Sequence, residues 1–139
     1  MPNLVAFKDA TADPPAAAAL VAEAGEHFDL YSGDDAMTLP LLAIGAVGLV
    51  GTSTHWTGPW FRRMVDAVER DDLPSARELQ ARLLPSMRFV NSDDSVFTMS
   101  IKALLAEIGQ PAGPCRMPLP AAPPEVAQRA REVWADLHR

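Results

Sequence analysis

Leu4-Val5-Ala6-Phe7 is a short unbroken apolar run that ends at Lys8. A run apolar on both faces suits a buried strand of a parallel sheet. Asp13 then reads as a helix N-cap, with Pro14 at the first helical position. Ala17, Leu20, Val21 and Ala24 follow on one face of that helix, and Gly25 stops it. Phe28, Leu30 and Tyr31 mark a second strand, closed by Ser32-Gly33-Asp34-Asp35. A short helix is expected from about Asp35 to Ile44, with Gly45 as its stop, and a third strand from Val47 to Val50. Pro59 is expected to open a third helix, with Phe61, Met64, Val65 and Val68 on one face.

The pattern then changes. Pro74 is expected to open a helix that turns Ala76, Leu79 and Leu83 inward, and Pro85 to end or kink it. Asn91-Ser92-Asp93-Asp94-Ser95 reads as a polar loop. Ile101, Leu104, Leu105 and Ile108 mark a further helix, stopped by Gly109 and Pro111. A proline-rich connector leads from Pro111 to Pro124, and the last helix carries Val126, Ala130, Val133, Trp134 and Leu137 on one face. Strand–helix alternation with short loops is the βαβ pattern of a parallel sheet. The chain therefore reads as three βα units followed by a helical tail. Such a sheet leaves two apolar edges unpaired, which invites association. Completion by another chain, or by a further part of a longer protein, is the expected remedy.

Length and composition narrow the class. The chain has 139 residues, 48% hydrophobic and 22% charged, which fits one ordinary globular domain and excludes a disordered chain. The longest apolar stretch, Leu39 to Val50, is broken by Pro40, Gly45 and Gly48 and is too short to span a bilayer. Cys115 is the sole cysteine, so no disulfide framework is expected. No basic segment precedes an apolar core at the start, and a cytoplasmic location is expected by default. With 12 basic residues against 18 acidic ones and a net charge of −6, nucleic-acid binding is not expected.

Only two of the basic residues are lysines, Lys8 and Lys102, and Lys8 ends a strand. Carboxyl ends of parallel strands are where α/β folds build their sites. A lysine desolvated there is easier to deprotonate, and a neutral amine can attack a carbonyl to form a Schiff base. The plainer alternative is a lysine leaving the strand into solvent, or paired with Asp9 or Asp13. Asp34 and Asp35 could bind a metal, or one could cap the next helix in a tight glycine turn. The glycines of Gly45 to Gly51 precede and interrupt a strand, which is not the dinucleotide fingerprint; they suit close packing or backbone approach to a ligand. His55 follows the third strand and is either structural, solvent-facing or catalytic. His27, His55 and His138 show no metal-ligand spacing.

Taken in order, these segments resemble a known family. Val5-Ala6-Phe7-Lys8-Asp9-Ala10-Thr11 resembles the strand bearing the Schiff-base lysine in the dihydrodipicolinate synthase / N-acetylneuraminate lyase family of class I aldolases. Ser32-Gly33-Asp34-Asp35 resembles that family's next-strand motif, and Gly45 to Gly51 its last-strand motif, whose branched apolar residue lies beside bound pyruvate. The resemblance runs on to about Met117-Pro118-Leu119. It departs at Ala12, where the family usually has Gly, and at Val50-Gly51, where it usually has Ile then Ser.

The resemblance implies an α/β fold: a partial (β/α)8 TIM barrel over residues 1–72, made of the last three βα units, then a helical C-terminal domain over residues 73–139. It implies Lys8 as the catalytic lysine, with Val50 and Gly33 shaping the substrate pocket. The implied activity is that of a pyruvate-dependent Schiff-base lyase of the 4-hydroxy-tetrahydrodipicolinate synthase type, joining pyruvate to aspartate semialdehyde on the route to lysine. No metal or diffusible cofactor is implied, because the lysine iminium is the electron sink. The family's carboxylate-binding threonines, catalytic tyrosine and substrate arginine come from earlier strands and have no counterpart here, and Tyr31 is not that tyrosine. Alternatives are another pyruvate aldolase acting on a sugar acid or keto-deoxy acid, a non-catalytic fragment needing a complementary chain, or an unrelated small binding domain. A homo-oligomer is expected for the complete enzyme, and negligible turnover for this chain alone.

Overall fold

In the computed structural model, residues 3–92 and 95–139 are described. The order is β1 (Ala6–Asp9), α1 (Pro14–Ala24), β2 (Asp29–Ser32), α2 (Thr38–Leu42), β3 (Gly48–Leu49), α3 (Thr54–Glu69), α4 (Leu73–Val90), α5 (Phe97–Glu107) and α6 (Pro124–Leu137). The strands form a parallel sheet in the order β1-β2-β3, with Lys8 beside Tyr31 and Tyr31 beside Gly48. The ladder reaches beyond the short third strand: the Val47 amide donates to the Leu30 carbonyl at 2.9 Å, and the Val50 amide to the Ser32 carbonyl at 2.8 Å.

Two apolar clusters hold the elements. Leu30 of β2 packs with Ala17 of α1, Leu41 of α2 and Ala46. A larger cluster runs from Leu42 through Phe61 and Met64 of α3 and Leu83 and Val90 of α4 to Leu104, Val126 and Leu137 of the last two helices. Side chains alternate across a strand, so the row of Lys8, Tyr31 and Gly48 points away from the face that carries Leu30 and its helices. The opposite phase places Asp9 and Ser32 on the helix side, and both are buried.

The local signals at helix starts hold where a side chain acts within its own turn. Asp13 caps α1 by accepting from the Ala16 amide at 3.1 Å; Asp72, which the sequence reading did not single out, caps α4 by accepting from the Ser75 amide at 3.1 Å. Gly25 ends α1 at φ +81°, where a side chain would be strained. The expectations fail where distant contacts intervene. Pro59 does not open α3, which begins at Thr54 and carries Pro59 inside it. The first turn is held from elsewhere: Trp56 and Thr57 are buried, and the Trp56 indole donates to the Ser86 hydroxyl at 3.1 Å. Pro85 does not end α4. It faces solvent, while Leu83, Ser86, Met87, Phe89 and Val90 around it are buried. Their burial outweighs the one hydrogen bond a proline forfeits.

The helix expected from Asp35 to Ile44 shrinks to Thr38–Leu42. The first strand starts at Ala6, not Leu4, and the third covers only Gly48–Leu49. The burial expected of both strands is absent at their outer sides: Leu4, Val5, Phe7, Val47 and Val50 are all exposed. Among the described residues β1 and β3 each pair only with β2, so no neighbouring strand covers these side chains. Of the polar loop, Asp93 and Asp94 lie outside the described residues. No helix among the described residues is long and apolar enough to cross a membrane.

Candidate active site

Lys8, Gly33 and Val50 stand at the carboxyl ends of three adjacent parallel strands. Lys8 is the penultimate residue of β1, Gly33 follows β2, and Val50 follows β3. The Gly33 amide donates to the Asp9 carbonyl at 2.6 Å, which draws the turn after β2 against the end of β1. A methyl group on Gly33 would sit 2.8 Å from Cε of Lys8. The lysine stem could move aside, but the Ala10 Cβ at 2.8 Å and the Asp9 carbonyl oxygen at 2.9 Å could not, so these are what require glycine here. Val50, 51% exposed, follows β3 on the other side of β2 from β1.

Lys8 itself is exposed. The burial expected of a desolvated lysine is not observed, and the alternative of a lysine leaving the strand into solvent is what the structure shows. The pairing with Asp9 or Asp13 is missing too. Asp9 is buried and accepts from the Thr11 amide at 2.8 Å, while Asp13 is engaged as the cap of α1. Lys8 thus stands with no ion-pair partner among the described residues.

Asp34 and Asp35 act differently from either expectation. Neither caps α2, whose first turn follows Met37 with no side-chain cap. Asp34 accepts from the Ala36 amide at 2.7 Å. Asp35 is 3% exposed and reaches across the sheet end: its carboxylate accepts from the Thr52 amide at 2.9 Å, the Thr52 hydroxyl at 3.1 Å and the Ser53 amide at 2.7 Å. It ties the turn after β2 to the turn after β3. Sequence reasoning missed this clamp, because its partners are remote along the chain and nothing local announces them. Among the described residues no three His, Cys, Asp or Glu side chains converge as a metal site.

Gly51 owes its identity to the same clamp, since a Cβ there would overlap Asp35 Oδ1. Gly48, by contrast, has only ordinary contact with the Tyr31 ring, so close approach is not what requires it. Beside the clamp, Ala10, Gly33, Asp34, Asp35, Thr52 and Phe97 line a cleft of about 140 Å³. His55 is exposed on α3 and His27 is exposed as well; neither joins this cleft. The second lysine, Lys102, holds the proline-rich connector by donating to the carbonyls of Ala112, Gly113 and Pro114 at 2.9, 3.4 and 3.2 Å.

Comparison with known proteins identifies the family. The model of the dihydrodipicolinate synthetase family matches residues 1–135. The 4-hydroxy-tetrahydrodipicolinate synthase of Symbiobacterium thermophilum is 37% identical over 136 residues, covering 98% of this chain and 45% of that protein. The 4-hydroxy-tetrahydrodipicolinate synthase 2 of Streptomyces coelicolor is 40% identical over 130 residues, covering 94% of this chain and 42% of that protein. The crystal structure of dihydrodipicolinate synthase from Aquifex aeolicus superposes with a TM-score of 0.91 at 26% identity, covering 99% of this chain and 46% of that one. The chain thus spans somewhat less than half the length of the relatives it matches. On this match, the chain belongs to the dihydrodipicolinate synthetase family.

Proposed function

We propose that this chain supplies the last three βα units and the helical domain of a (β/α)8 Schiff-base lyase of the 4-hydroxy-tetrahydrodipicolinate synthase type, with Lys8 as the reacting amine. Residues 1–72 are the barrel portion and residues 73–139 the helical domain. The observation that carries this reading is the convergence of Lys8, Gly33 and Val50 at the carboxyl ends of adjacent parallel strands. That is the end of such a barrel where chemistry resides.

The amine of Lys8, in its unprotonated form, attacks the ketone carbon of pyruvate, and loss of water with uptake of one proton from solvent leaves an iminium. The iminium withdraws electrons from the adjacent methyl group, which gives up a proton to form an enamine. The enamine carbon then adds to the aldehyde carbon of aspartate semialdehyde, whose oxygen takes up a proton. Gly33 and Val50 line the side of the pocket nearest the lysine. The remaining βα units would cover Phe7 and Val47, pair the free edges of β1 and β3, and desolvate Lys8. Assembly into a homo-oligomer and action in the cytoplasm belong to the same proposal.

The test is reduction with borohydride in the presence of pyruvate, read by intact mass and peptide mapping, with Lys8→Ala as control. The chain is assayed alone and together with the N-terminal part of the Symbiobacterium thermophilum relative. A reduced pyruvyl adduct confined to Lys8, stronger in the mixture, is the expected result. Absence of the adduct in both samples would end the proposal.

A further inference from the structure

A second cleft is remote from the strand ends. It lies among α3, α4 and the end of α6, holds about 410 Å³, and shares no lining residue with the cleft beside Asp35. That volume is in the range of small-molecule sites, whereas 140 Å³ falls below it. Its wall includes Trp60, Arg63, Glu78, Arg82 and His138.

The wall is built in advance. The His138 ring meets Trp60 edge-on with centroids 5.3 Å apart, and lies 3.9 Å from the Trp134 ring. His138 Nδ1 is 2.8 Å from the Trp134 carbonyl, which fixes the ring's rotation. Arg82 is fixed as well: its Nε and one terminal nitrogen donate to the Leu137 carbonyl at 3.2 and 2.8 Å. Neither Arg63, Arg82 nor Glu78 forms an ion pair with a described residue. The cleft therefore offers two uncompensated guanidinium groups against one carboxylate, in a chain whose net charge is −6. A guanidinium fork matches a carboxylate in two parallel hydrogen bonds, and a flat ring stacks on an indole or imidazole face.

We propose that this cleft binds a small aromatic carboxylate, with Arg63 taking the carboxylate and the ring lying against Trp60 and His138. The proposal is independent of the chemistry of Lys8.

The test titrates the full chain with benzene-1,2-dicarboxylate and follows tryptophan fluorescence. Saturable quenching is expected. Arg63→Glu, at an exposed position with little packing to lose, is expected to weaken it about ten-fold or more, the scale of one charge-assisted contact. Lys8→Ala is expected to leave it unchanged. Cyclohexane-1,2-dicarboxylate, with the same charges and no flat ring, is expected to bind more weakly. Four outcomes would overturn the assignment: no saturation by about 10 mM, equal affinity in Arg63→Glu, loss of binding in Lys8→Ala, or inorganic phosphate binding as tightly as the aromatic probe.

Discussion

Gly33 and Lys8 are matched to each other: a Cβ on Gly33 would stand 2.8 Å from Lys8 Cε and 2.9 Å from the Asp9 carbonyl oxygen. The lysine stem can swing away, but the backbone oxygen cannot. Gly33→Ala is therefore expected to displace the turn after β2 and cost about 1–3 kcal/mol, as overpacking does. It should also reduce the yield of the pyruvyl adduct on Lys8. Urea unfolding and borohydride trapping measure the two effects; a variant equal to the parent in both would show that the turn yields freely.

Asp35 and Gly51 form a second matched pair. Asp35→Asn keeps the shape but turns an amide group toward the Thr52 or Ser53 N–H, and should cost about 1–3 kcal/mol for the donors left unsatisfied. Gly51→Ser should be destabilising alone, and markedly less so in an Asp35→Ala background, where its Cβ no longer meets the carboxylate. A double-mutant cycle on unfolding free energies reads that coupling. Additive effects would contradict the overlap.

Ala12 lies at φ +57°, in the left-handed region that disfavours a Cβ. The penalty there is about 1–2 kcal/mol, and glycine gives back about 0.5–1 kcal/mol in chain entropy. Ala12→Gly should therefore raise stability by up to about 1 kcal/mol. Thermal melts of the two proteins decide it, and a lower midpoint in the glycine variant would refute the strain.

The Asp72 carboxyl is held below its usual value by hydrogen bonding from the Ser75 hydroxyl and amide, with help from the Arg70 charge. A carboxyl whose folded value is depressed binds its proton more readily when unfolded. Its contribution is therefore complete above the ordinary carboxylate range and fades as pH falls through and below 3.8. Asp72→Ala should melt lower than the parent at pH 7, and the gap should narrow on acidification to about pH 3. A gap that is constant with pH would assign the effect to something other than the ionised cap.

Much of the architecture was legible in residue order alone, because its causes are local. Asp13 caps its helix through an amide within the first turn, and Gly25 stops α1 by its own backbone freedom. The alternation of apolar runs with helical faces was sufficient for three parallel strands, and the spacing from Lys8 through Gly33 to Val50 for their common end.

What residue order left open was settled by groups far apart in the chain. Whether Pro59 and Pro85 break their helices depends on what the flanking residues bury, and the Trp56–Ser86 contact and the buried stretch around Pro85 carry both helices through. Asp35 reads as a local cap, yet its carboxylate is used by amides beyond the next strand. Lys8 reads either as a desolvated amine or as a lysine leaving the strand into solvent, and only the folded chain shows it exposed. Capping and backbone freedom are short-range and are written in neighbouring residues. Burial is a property of the assembled surface, so a lysine's solvation and a proline's tolerance appear only when the chain is folded.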